Sequence, residues 1–119
     1  MLQSNGIMLG WNRAVAGREG MAGELFAHTS NWLEKCRSQG TIESWEPIFL
    51  ASHGGDLNGC FMIKCTPTQL TALKCHDEWV DIVMRAGQYL TNVGVVECYC
   101  GRDTVQDLMN RWMKTIPTR

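Results

Sequence analysis

The stretch Leu57-Asn58-Gly59-Cys60-Phe61-Met62-Ile63-Lys64-Cys65-Thr66-Pro67-Thr68-Gln69 decides the fold. Its first half is a short apolar run with side chains of bulk on both faces: Leu57, Phe61 and Ile63 on one side, Cys60 and Met62 on the other. A strand of that kind is covered twice. Its second half is a helix start. Thr66 can cap, Pro67 suits the first helical position, and Gln69 can complete a capping box.

Working back, Ser52-His53-Gly54-Gly55-Asp56 is a turn cluster. Thr41 to Leu50 precedes it as a second strand, so the two form a hairpin. Pro47 cannot donate to a ladder, which predicts an edge or a bulge there. Further back, Gly17-Arg18-Glu19-Gly20 opens a long helix with Met21, Leu25, His28, Trp32 and Cys36 at helical spacing and Phe26 and Leu33 widening the stripe. His28 on that stripe predicts a satisfied core histidine. Gly40 is placed to stop the helix. Gly6 to Trp11 is the first strand.

Working forward, the Pro67 helix extends to about Leu90, with a break allowed at His76-Asp77, and Trp79, Val80, Val83 and Met84 form its apolar stripe. Val93 to Cys100 is the fourth strand. Asp103 with Gln106 predicts the cap of a last helix, striped by Val105, Leu108, Met109 and Trp112 and ended by Pro117. The fold class is α+β, with strand–helix–strand–strand–helix–strand order and a C-terminal helix, in one domain over residues 1–119. Two long helices cover one face of four strands, yet strands one, three and four carry apolar residues on both. A second copy of the sheet is the expected cover, so the chain is expected to be a homodimer or a higher homo-oligomer.

Composition narrows the function classes. Lys and Arg number 11 against 12 Asp and Glu, with no basic stretch. That argues against nucleic acid and against anionic membrane surfaces as partners. No apolar run reaches membrane-spanning length, and Met1 to Gly10 does not read as a signal peptide, so the cytoplasm is the expected compartment. The 6 cysteines lack a Cys-x-x-Cys pair and read as small buried residues rather than a zinc or redox motif. Cys98 and Cys100, on one strand face, stand about 7 Å apart, too far for an ordinary disulfide. Cys75-His76-Asp77 point in different directions on a helix and cannot share an ion. No metal and no bound cofactor is called for.

His53 and Asp56 are the candidate catalytic pair. Histidine exchanges protons near neutral pH, and a carboxylate across Gly54-Gly55 can orient its ring. The same residues are also ordinary turn formers. Asn58, Lys64, Glu46 and Glu97 are polar groups within apolar strands, and a carboxylate so placed can have a raised pKa and act as a base. Trp11 and Trp45 can wall a pocket for a flat apolar ligand, Asn58 and Glu97 can line it, and Arg85 can hold a ligand carboxylate.

The element order resembles the ferredoxin-like split arrangement. With a two-faced sheet and a trailing helix, it resembles the dimeric α+β barrel superfamily along nearly the whole chain. His53-Gly54-Gly55-Asp56-Leu57-Asn58-Gly59 running into Phe61-Met62-Ile63, and Val93-Gly94-Val95-Val96 after Arg85-Ala86, are similar to segments of small uncharacterised members. That superfamily includes monooxygenase-like and YCII-like proteins. The YCII-like resemblance implies a His–Asp pair, cast here as His53 and Asp56. The heme-degrading resemblance implies an Asn, Trp and His set, cast as Asn12, Trp11 and His76 or His53. Three readings follow: a small-molecule-binding protein or enzyme for a small aromatic or apolar compound, a non-catalytic ligand-binding or protein-interaction dimer, and a heme-binding protein.

Overall fold

The computed structural model describes residues 2–118. Strands β1 (Gly6–Trp11), β2 (Ser44–Phe49), β3 (Gly59–Lys64) and β4 (Gly94–Cys98) form one antiparallel sheet in the order β2-β3-β1-β4. Helix α1 (Glu19–Gln39) links β1 to β2, and α2 (Pro67–Lys74) with α3 (Asp77–Tyr89) links β3 to β4. A last helix, α4 (Arg102–Thr115), follows the sheet. This is the ferredoxin-like arrangement.

Local chemistry sets the boundaries. Glu19 accepts from the Gly17 N–H at 3.1 Å, which places a negative charge on the first turn of α1. Gly40 ends the helix in the left-handed region, at φ 76°, where a side chain would be strained. The Thr66–Gln69 capping box is formed in both directions, at 3.1 and 2.8 Å. The expected break is real: Cys75 closes α2, and His76 starts α3 by accepting the Glu78 N–H on Nδ1 at 3.1 Å.

The start of α4 differs from expectation. Gly101, at φ 95°, occupies the capping position, and Asp103 lies inside the first turn. Asn5 fixes this junction instead: its amide accepts from the Cys100 N–H at 2.6 Å and donates to the Cys100 carbonyl at 2.9 Å. The strand ends at Cys98, yet Cys98 and Cys100 still share a side, as expected: the Cys98 Cβ and the Cys100 Sγ lie 3.7 and 2.6 Å from where a Cβ of Gly6 would sit. The cysteines are all free; Cys36, Cys60 and Cys65 are buried, as expected, whereas Cys75 is exposed and Cys98 and Cys100 are half-buried. Burial pushes the Cys65 thiol up to about 11, aided by the nearby acidic Glu43.

Register divides the sheet into two faces. Ile7, Leu9 and Trp11 stand opposite Ile63, Phe61 and Gly59, and this side packs on the helices through Leu25, Leu33, Leu70, Leu73, Trp79 and Ile82. Gly6, Met8 and Gly10 face the other way, beside Met62, Cys60, Val96 and Cys98. No helix lies over that side: Met8, Met62 and Cys98 are half-buried and Val96 is 50% exposed. Leu57 was expected beside Phe61, but it precedes β3 and folds against Gly10 on the open side, its Cδ1 2.8 Å from where a Cβ of residue 10 would sit.

The buried stripe of α1 is Leu25, Thr29, Leu33 and Cys36. His28 is one step off it, exposed and hydrogen-bonded to Glu78, so it is not the core histidine expected. Met21 is likewise exposed. Among the described residues no helix is long and apolar enough to cross a membrane.

Candidate functional site

An apolar space walled by aromatic rings lies between the first turns of α1 and the helix-covered side of the sheet. It is a cavity of about 370 Å³ lined by Leu9, Trp11, Ala14, Ala22, Gly23, Phe26, Phe49, Phe61 and Leu90. Its size falls within the range of small-molecule sites.

Its walls follow from the sequence. Alternation along β1 sends Leu9 and Trp11 to the helix side, and the register sets Phe61 opposite Leu9 and Gly59 opposite Trp11. Gly59 is required there. A Cβ would come within 2.8 Å of Trp11 Cζ2 and 2.9 Å of Phe49 Cδ1. Phe26 arrives from α1 and stacks on Phe61 and Phe49, with centroids 5.0 and 5.4 Å apart, while Trp11 meets Phe61 at 5.5 Å and Phe26 edge-on at 6.4 Å. Ala14, Ala22 and Gly23 keep the mouth open, because none fills the space before the aromatic wall.

Of the residues singled out from sequence, Trp11 alone lines this cavity. Trp45 stands behind it, 6.2 Å from the Phe61 ring, with its indole N–H donating to Glu34 at 2.9 Å. Asn58 is adjacent: its N–H donates to the Trp11 carbonyl at 2.9 Å and its side chain bonds Asn12, so it anchors the end of β1. His53 and Asp56 are exposed in the β2–β3 loop, outside the cavity lining. His53 Nδ1 engages the Ala51 carbonyl at 2.9 Å, and among the described residues no hydrogen bond or ion pair joins His53 to Asp56. Gly54 has φ 81°, the turn role its residue type predicts.

Glu97 lies at the opposite border of the sheet. It accepts from Ser4 Oγ at 2.7 Å and Lys74 Nζ at 3.3 Å. These partners, Ser4 foremost, hold its carboxyl below the usual range, so it is not the raised-pKa base that a carboxylate inside an apolar strand suggests. Arg85 faces a shallow groove between α1 and α3 with Glu24, His28 and Tyr89, and among the described residues it makes no hydrogen bond or ion pair. The heme-degrading set is likewise dispersed. Asn12 is spent on Asn58, and His76 caps α3 and packs 5.3 Å from Trp32, beside a separate pocket of about 250 Å³.

The site is thus apolar, walled by aromatic rings, and lined by no titratable side chain. Its lining offers apolar surface and aromatic ring faces, and none of its side chains is an acid or a base. Among the described residues no cluster of three or more His, Cys, Asp or Glu could hold a metal. Sequence reasoning found Trp11 but missed Phe49 and Phe61 as its partners. The signal for them was the parity they share across the β2–β3 hairpin.

Fold and site together define a ferredoxin-like α+β protein with an apolar pocket under its first helix. Among solved structures the chain is similar to a dimeric protein of unknown function and ferredoxin-like fold from Bacteroides fragilis. The TM-score is 0.53 at 11% identity, covering 81% of this chain and 96% of that one. At that identity the likeness concerns the fold alone. No protein-family profile matches the chain, and no curated protein matches it.

Proposed function

We propose that this protein is a homodimeric binding protein for a small, flat, apolar compound, held in the Trp11–Phe26–Phe49–Phe61 cavity without covalent chemistry. One observation carries the reading: the cavity is lined by nine apolar or small residues and no acid or base. An acid–base enzyme needs its catalytic group within hydrogen-bond reach of the substrate. His53, Asp56 and Glu97 stand outside this lining. The dimer is supported by the uncovered apolar face of the sheet and by the dimeric state of the Bacteroides fragilis protein.

The test uses N-phenyl-1-naphthylamine, an uncharged aromatic probe whose emission rises on burial. Saturable binding with quenching of tryptophan emission is expected, lost in Ala22→Leu, whose added carbons enter the cavity, and unchanged in His53→Ala. Binding that survives Ala22→Leu in a folded variant, or that disappears with His53→Ala, would overturn the reading.

A further inference from the structure

Among the described residues, helix α4 meets its own chain on one side only, where Thr104 and Leu108 are half-buried and Asn5 reaches Thr104. None of its 14 residues is buried. Yet Val105, Met109, Trp112 and Met113, each 45 to 59% exposed, recur at helical spacing and share one face, and Ile116, just past the helix end, is 42% exposed. Asp103, Asp107, Asn110, Arg111 and Lys114 take the remaining surface, with Gln106 at its edge, and Arg102, in the first position, is the one charged residue on the apolar side. A polar linker would not gather its apolar residues in this way. Nor would a helix of this length persist in water on its own propensity. The chain is also extended, 57 × 38 × 21 Å, with a radius of gyration of 16.3 Å against about 13.5 Å for a compact chain of this length.

We propose that α4 is a clasp: the open sheet faces of two copies meet, and each α4 closes its Val105–Met109–Trp112–Ile116 stripe on the second copy. This rests on the homodimer reading and adds what completes the interface.

Area selects this occupant. Strands of five or six residues, four abreast, present a face of about 380 Å², so two facing sheets bury about 760 Å². That is the scale of weak or adventitious contacts. A helix of 14 residues is about 21 Å long and 10 Å wide, so two docked helices bury about 840 Å² more, counting both sides of each contact. Together they reach the standard size of a stable interface, about 1,600 Å². The root of the helix is suited to a clasp. Asn5 pins the Cys100 backbone and reaches Thr104 Oγ1 at 3.3 Å, so α4 leaves the border of the open face in one fixed direction.

Sedimentation equilibrium on the full chain and on Met109→Glu/Trp112→Glu tests this, together with amide exchange in α4 across a dilution series. The expected results are a wild-type dimer, a variant whose dimerisation is weaker by about a hundredfold or more, as befits loss of an aromatic anchor, and α4 protection that falls as wild type is diluted into monomer. The double variant should keep its sheet and its other helices, because the substituted side chains touch no core. A variant that dimerises as tightly as wild type, or α4 protection independent of concentration, would overturn the clasp while leaving the dimer standing. A wild-type monomer at tens of micromolar would remove the dimer reading and the clasp with it.

Discussion

Gly23 lies in the second turn of α1, at the mouth of the cavity, and a Cβ there would meet no atom within 4 Å. Glycine within a helix costs about 1 kcal/mol relative to alanine, through the backbone freedom of the unfolded chain and the hydration of the exposed peptide. Gly23→Ala therefore gains that amount with nothing to offset it. For a chain of this size the gain corresponds to a rise of about 4 °C in Tm. The assay is a reversible thermal melt by circular dichroism at fixed protein concentration, with a urea titration whose midpoint rises at unchanged slope. One methyl at the mouth leaves most of the cavity free, so probe affinity should stay within about twofold, well under the 1.4 kcal/mol of a tenfold change. A Tm that is unchanged or lowered would refute the reasoning. It would mean that this surface of α1 is already occupied in solution.

Three more expectations follow from single residues. Thr29 is fully buried with a hydroxyl that has no hydrogen-bond partner among the described residues, so Thr29→Val, of the same shape, should stabilise the chain by about 1 kcal/mol in urea unfolding. Gly59→Ala drives a methyl into Trp11 and Phe49 and should cost about 1–3 kcal/mol by the same assay, while lowering probe affinity because the aromatic wall must move. The Arg37 guanidinium, and then the Trp45 indole, hold the Glu34 carboxyl down at about 2 from 4.5. A depressed carboxyl stabilises the fold above its unfolded pKa and loses that contribution as pH falls through the folded value. The small difference between wild type and Glu34→Gln should thus be present at pH 7, shrink below pH 4.5 and vanish near pH 2; a difference that grows with acid would contradict the pairing.

The fold was legible because its signals were local. Thr66-Pro67-Thr68-Gln69 and Gly40 marked helix ends by side-chain chemistry that works wherever the chain goes, and both are used as expected. Parity along β1, β3 and β4 told of a sheet needing two covers, and one side is indeed left open. What was not legible depended on three-dimensional partners. Gly101, not Asp103, stands at the start of α4, and the junction is held by Asn5, 95 residues from Cys100, which bonds the Cys100 backbone just ahead of the helix. His28 lies one position off the buried stripe, where Glu78 holds it. The cavity was only half visible: Trp11 stood out by type, and parity across the β2–β3 hairpin carried a signal for Phe49 and Phe61, whereas the docking of Phe26 from α1 onto both rings is tertiary and has no local signal. His53 and Asp56 attracted attention as residue types, but an exposed loop with two glycines supplies neither burial nor an orienting bond between them.

Pro47 has a bearing on the limits of growth. It sits mid-way along β2, the border strand, opposite Phe61. Leu50 turns its N–H inward to Asn58, so alternation turns the odd-numbered residues, Pro47 among them, outward. The outer rail of β2 thus lacks its central donor, and a further strand laid along it would face a missing rung. Propagation from that border is blocked at its start. In the proposed dimer, by contrast, pairing through the flat side of the sheet is twofold and closes on itself, whereas edge-to-edge stacking has no natural end.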